Sequence, residues 1–137
     1  MAQSIRKRVH VEKLRILWGD MDALGHVNNT MYFRYMEQAR IGLFETLVPQ
    51  EKRWTEIGMV IVNATCEFRR ALTYPADLEV SVSVEPPGGS SLKTLYEIRV
   101  AGDAKPYAEG TAVVVFIDPK RQKPVRIPEE IRGRLQV

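Results

Sequence analysis

The sequence predicts an α+β domain in which an antiparallel sheet of five strands packs on one long helix. Two observations carry that prediction. Tyr32, Met36, Ala39, Leu43 and Leu47 recur every three or four residues, the apolar stripe of a buried helix face. Around that stripe lie one strand-like run before it and four after it, separated by turn residues. With 137 residues, 45% hydrophobic and 27% charged, the chain reads as a single domain over 1–137 with one core.

The first element, Val11 to Trp18, is an imperfectly alternating strand in which Val11, Leu14, Ile16 and Trp18 stand among charged residues. A polar loop from Gly19 to Asn29 follows, where Gly25 is free to take a positive φ. Asn28, Asn29 and Thr30 supply N-cap chemistry for a helix over Thr30 to Leu47, which Pro49 stops. Phe33 and Phe44 widen its stripe, so the helix is expected to be largely buried. A helical turn is expected near Gln50 to Ile57. Strands are then expected over Met59 to Arg70, Leu78 to Val84, Leu92 to Val100 and Tyr107 to Ile117. The stretch from Pro86 to Ser91 forms a turn between two of them. Ile127 to Leu135 reads as a short terminal helix. A sheet of this size leaves unpaired edges, which predicts edge-to-edge pairing with a second copy.

Composition excludes several classes of function. A net charge of +3 is too mild for a nucleic-acid binder. One cysteine, Cys66, and two histidines, His10 and His26, give neither a disulfide nor metal-ligand spacing, so no metal and no cofactor are expected. Cys66 reads as a core residue of its strand. The basic start of the chain has no apolar core of a signal peptide, and the longest apolar run, Ala112 to Ile117, is too short to span a bilayer. A cytoplasmic setting without membrane association is the expectation.

The chemistry is concentrated ahead of the helix. Asp20, Asp22, Gly25, His26, Asn28 and Asn29 fall within a few residues, and Tyr32 follows in the first helical turn. A helix start presents free N–H groups and a partial positive charge, which suits a carbonyl oxygen turning into an oxyanion. A carboxylate beside it either attacks that carbonyl or activates a water. The chain has no Gly-x-Ser-x-Gly element that would suggest a serine triad.

The run Gly19-Asp20-Met21-Asp22-Ala23-Leu24-Gly25-His26-Val27-Asn28-Asn29-Thr30-Met31-Tyr32, followed by Tyr35, Glu37, Ala39 and Arg40, resembles the signature of the 4-hydroxybenzoyl-CoA thioesterase family, in its Gly-His-Val-Asn-Asn branch. The Phe68-Arg69-Arg70 strand end and the Tyr74-Pro75-Ala76-Asp77 turn fit the same family, and the likeness runs from Glu12 to Asp118. It implies the hot-dog fold, in which the sheet wraps around the central helix. It also implies hydrolysis of acyl-CoA thioesters, and a homodimer or dimer of dimers with the active site between subunits. By the resemblance Asp22 is the catalytic acid, as nucleophile or general base, and Asn29 marks the oxyanion-binding N–H.

The neighbouring residues have structural readings beside functional ones. Asp20 is expected to orient the loop by accepting backbone N–H bonds. His26 is expected either to assist catalysis, bonding the thioester oxygen or the Asp22 carboxylate, or simply to fix the loop. Asn28 and Asn29 cap the helix, and one of them orients a water on the functional reading. Asn28, Tyr32 and Glu37 are candidates for contact with substrate, although Glu37 also suits a surface pair with Arg40 three residues on. Arg69, Arg70, Lys93, Lys120 and Arg121 receive no role. Two other functions compete: a non-catalytic acyl-CoA-binding module, and a hot-dog dehydratase or hydratase, which the early Asp-x-Asp disfavours.

Overall fold

A computed structural model describes residues 5–136. Strand β1 (Lys7–Arg15) leads through a single 3-10 turn at Trp18–Asp20 into helix α1 (Asn29–Leu47). A second such turn, Gln50–Lys52, precedes strands β2 (Gly58–Phe68), β3 (Asp77–Val84), β4 (Ser91–Val100) and β5 (Ala108–Asp118). A two-residue strand β6 (Lys123–Pro124) and helix α2 (Glu129–Leu135) follow. All neighbouring strands pair antiparallel in the order β1-β3-β4-β5-β2, with β6 on the end of β5. The sheet wraps α1 in the hot-dog arrangement.

The sheet's inner face follows the period-two pattern. Leu78, Val80, Val82 and Val84 of β3, Leu92, Tyr96 and Ile98 of β4, and Ala112, Val114 and Phe116 of β5 are all buried in the core. From α1 come Tyr32, Tyr35, Met36, Ala39, Leu43, Phe44 and Leu47. Met36 of α1 packs over Gly110 of β5, filling the space a Cβ there would need. Asn28 is the N-cap, its Oδ1 accepting the Thr30 N–H at 2.9 Å.

Four local expectations are corrected. The first strand starts earlier and stops at Arg15, so Trp18 lies on the 3-10 turn and is exposed. A bulge between Arg8 and His10 sets its parity, placing the polar pair His10 and Glu12 toward Gly42 of α1 while Val11 faces outward. Phe33 is half-exposed rather than part of the buried stripe. Arg40 does not pair with Glu37: the residue is only 9% exposed, and its guanidinium donates to the Tyr96 hydroxyl at 3.2 Å. That hydroxyl is bonded to Thr94 Oγ1 at 2.6 Å, and Thr94 donates to the Ala112 carbonyl at 2.8 Å. Finally, β6 adds a strand too short for any periodicity to reveal.

Candidate active site

The loop between β1 and α1 is built around Asp20. This carboxylate is buried, accepts the Leu17 N–H at 2.9 Å and the Tyr35 hydroxyl at 2.8 Å, and its main-chain carbonyl accepts the Asn28 N–H at 3.0 Å. Burial first, and then the bond to Asp20, hold the Tyr35 phenol far above its ordinary range, so it remains a donor. Asp20 therefore ties the strand end, the helix and the cap together, the structural role expected of it.

Asp22 sits differently. Its loop folds back on itself through a bridge between Met21 and Val27, with the Asp22 N–H donating to the His26 carbonyl at 2.9 Å. Gly25 makes the return possible with a φ of 79°. The Asp22 Oδ1 accepts the Leu24 N–H at 2.9 Å. No ion pair among the described residues consumes the other oxygen.

Asp22 opens onto a cleft of about 410 Å³. One wall is the loop and helix start, with Leu24, His26, Val27, Asn28, Asn29 and Tyr32. The other is the end of β2 and the chain beyond it, Phe68 to Ala71. The structure thus gathers five of the six candidate residues, Asp22, His26, Asn28, Asn29 and Tyr32, into one cleft. Glu37 is absent from its lining and lies exposed two turns further along α1. The His26 ring is exposed and makes no bond to Asp22. Tyr32 is buried, donating to the Arg70 carbonyl at 3.3 Å and accepting the Leu72 N–H at 3.2 Å. Burial raises its pKa, which keeps the hydroxyl protonated for that bond.

The helix start supplies the electrophilic element. The Asn28 side chain takes the Thr30 N–H, and the Asn28 carbonyl takes the Met31 N–H at 2.9 Å. Among the hydrogen bonds of the described residues, none engages the Asn29 N–H. The first turn of α1 carries no acidic side chain, so its partial positive charge is not offset from within. Asp22 and Asn29 both line the cleft, so a carboxylate and a helix start with an unbonded N–H, the kinds of group used in acyl transfer, stand at the same site.

Sequence reasoning left the opposite wall without a role. Phe68 to Ala71 is recognisable as a strand end, but long-range contacts that no local pattern shows bring it against the helix start: the sheet order, the Val27 N–H to Leu72 carbonyl bond at 2.8 Å, and the Tyr32 hydroxyl bonded to the Arg70 carbonyl and the Leu72 N–H. Among the described residues no three His, Cys, Asp or Glu side chains gather as metal ligands, and no helix is long and apolar enough to cross a membrane.

The profile of the Thioesterase-like superfamily matches residues 16–135. The PA2801 protein of Pseudomonas aeruginosa superposes with a TM-score of 0.85 at 30% identity, covering 93% of this chain and 98% of its own. A thioesterase from Thermus thermophilus, solved in complex with coenzyme A and Zn, superposes with a TM-score of 0.79 at 27% identity, covering 93% of this chain and 92% of its own. Among curated sequences, the long-chain acyl-CoA thioesterase FadM of Escherichia coli is 27% identical over 117 residues, 85% of this chain and 89% of its own. With the fold, the cleft and a match over most of its length in agreement, the chain belongs to the thioesterase-like superfamily.

Proposed function

We propose that the protein hydrolyses acyl-CoA thioesters to the free acid and CoA, with Asp22 as the catalytic carboxylate. The observation that carries this reading is the cleft in which Asp22 shares a wall with the unengaged Asn29 N–H. The thioester carbonyl oxygen accepts that N–H, and negative charge developing on it is stabilised by the helix start. Asp22 then attacks the carbonyl carbon to form a mixed anhydride that water opens, or deprotonates a water that attacks directly. Either route expels a thiolate, whose parent thiol pKa is roughly 8 to 9, so no strong general acid is needed. Asn28 fixes the helix start, Tyr32 fixes the opposite wall, and His26 lines the mouth. Similarity to FadM and to the Thermus thioesterase solved with coenzyme A supports a CoA ester as the substrate class.

The active unit in this reading is a homodimer, alone or as half of a tetramer, built on β2. One edge of β2 pairs with β5 and the other is open, while Val60, Ile61 and Val62 are exposed along it. An open apolar edge of 11 residues is a template for pairing. In a twofold antiparallel pairing, the Gly58 end of one copy meets the Phe68 end of the other, beside the cleft, which places the substrate between subunits.

The test is thiol release from a panel of acyl-CoAs by wild type and Asp22→Asn. Turnover that depends on Asp22 supports the reading. Tight acyl-CoA binding without turnover would replace it with a binding module, and loss of enoyl absorbance with a hydratase.

A further inference from the structure

We propose that Arg70 is a positioning residue for the reaction, clamping the far wall of the cleft and through it the register of Asp22 against the helix start. The inference rests on the thioesterase reading of that cleft.

Arg70 stands in the connection from β2 to β3, and its guanidinium is committed to the β4–β5 turn. One terminal nitrogen donates to Asp103 Oδ2 at 3.0 Å and to the Tyr107 hydroxyl at 3.1 Å. The other reaches the Lys105 carbonyl at 3.4 Å, and the guanidinium carbon lies 3.9 Å from the Tyr107 ring centroid. A planar cation stacked and forked in this way is held in one orientation, which a lysine would not reproduce. The acceptor is itself fixed, because Asp103 Oδ1 takes the Lys105 N–H at 3.0 Å. The main chain repeats the attachment: the Arg69 and Arg70 N–H groups donate to the Tyr107 carbonyl at 2.9 and 3.0 Å.

The same short segment bonds inward to the catalytic loop. The Arg70 carbonyl accepts the Tyr32 hydroxyl from the first turn of α1, which in turn accepts the Leu72 N–H. The Leu72 carbonyl accepts the Val27 N–H, and Val27 is bridged to Met21 across the loop that holds Asp22. Residues 70–72 thus link a surface turn to both halves of the reacting pair, the Asp22 loop and the helix start. Releasing the guanidinium frees the wall to shift. A displacement of even an ångström at a reacting centre costs about 100-fold in rate. With its donors turned to Asp103, Tyr107 and Lys105, Arg70 acts on geometry, which predicts an effect on kcat rather than on KM.

The experiment measures kcat and KM of the full chain with its best acyl-CoA, for wild type, Arg70→Met, Arg70→Lys, Tyr107→Phe and Asp22→Asn, well below each variant's Tm. Arg70→Met is expected to lower kcat about 10- to 100-fold with KM changed less than about 3-fold. Arg70→Lys, which keeps the Asp103 ion pair and loses the fork, recovers part of the loss. A kcat within about 2-fold of wild type for Arg70→Met overturns the proposal, as does a rise in KM alone, which would assign Arg70 to substrate binding. Should Arg70→Met not fold, Tyr107→Phe carries the test: a kcat-selective loss supports the clamp and an unchanged kcat overturns it. Failure of the thioesterase reading looks different, since wild type would then release no thiol or Asp22→Asn would match it, and the inference would fall with that reading.

Discussion

Two aspartates two residues apart have divergent surroundings. Asp20 is buried and commits its carboxylate to Leu17 and Tyr35, whereas Asp22 faces the cleft. The pattern Asp-x-Asp made both visible in the sequence, and only the resemblance separated them. The structure supplies the physical distinction, because the hydroxyl that engages Asp20 comes from Tyr35, beyond the loop. Removing that hydroxyl leaves a buried carboxylate short of a donor, so Tyr35→Phe is expected to destabilise the fold by about 1–3 kcal/mol in urea titration. Its pH signature follows from the raised pKa. The unfolded phenol titrates near 10.0 and the folded one much higher, so this stabilisation is complete below pH 10 and declines as pH rises beyond it. Stability of wild type should therefore fall above that pH more steeply than stability of Tyr35→Phe. His26, Asn28, Asn29 and Tyr32 share the cleft with Asp22 because all five lie within one local segment. Glu37 shared the motif, yet helical rotation carries it away from the cleft.

At the scale of elements, periodicity located the helix and the four later strands to within a residue or two. The alternation of β3 and the stripe of α1 each record burial on one face, and burial is what a sequence pattern encodes. The pattern failed at β1, where a bulge shifts parity and His10 and Glu12 take inward positions beside Gly42. It also could not show that Gly110 leaves no room for a side chain: an added Cβ would overlap Met36 and stand 2.7 Å from the Thr65 carbonyl on β2. The carbonyl is backbone in a paired strand and cannot give way as a side chain can. Gly110→Ala is therefore expected to cost about 1–3 kcal/mol, read from the urea midpoint at unchanged slope. The wall formed by Phe68 to Ala71 belongs to the same class of hidden information, since strand order alone carries it to the helix start.

For the whole molecule, the proposed homodimer rests on one edge of the sheet. β1 closes one side of the sheet with charged side chains, Lys7, Arg8, Lys13 and Arg15, which discourage pairing, while β2 exposes Val60, Ile61 and Val62. On the proposed homodimer, Val62→Lys is expected to give a monomer in sedimentation velocity. It should also lower thioesterase activity, since the Phe68 end of β2 is part of the cleft. A monomer in wild type, or a fully active Val62→Lys monomer, would contradict a site completed by a second copy. The sequence announced an unpaired edge but not which one, because the strand order is set by long-range pairing.

In the proposed reaction Asp22 carries out thioester hydrolysis at the start of α1. The most direct measurement is kcat of wild type and Asp22→Asn on the same acyl-CoA, followed by thiol release, with folding of both checked by circular dichroism. Asp22→Asn is expected to lose about 10²- to 10⁴-fold in kcat while remaining folded. An Asp22→Asn protein that releases CoA as fast as wild type would contradict it.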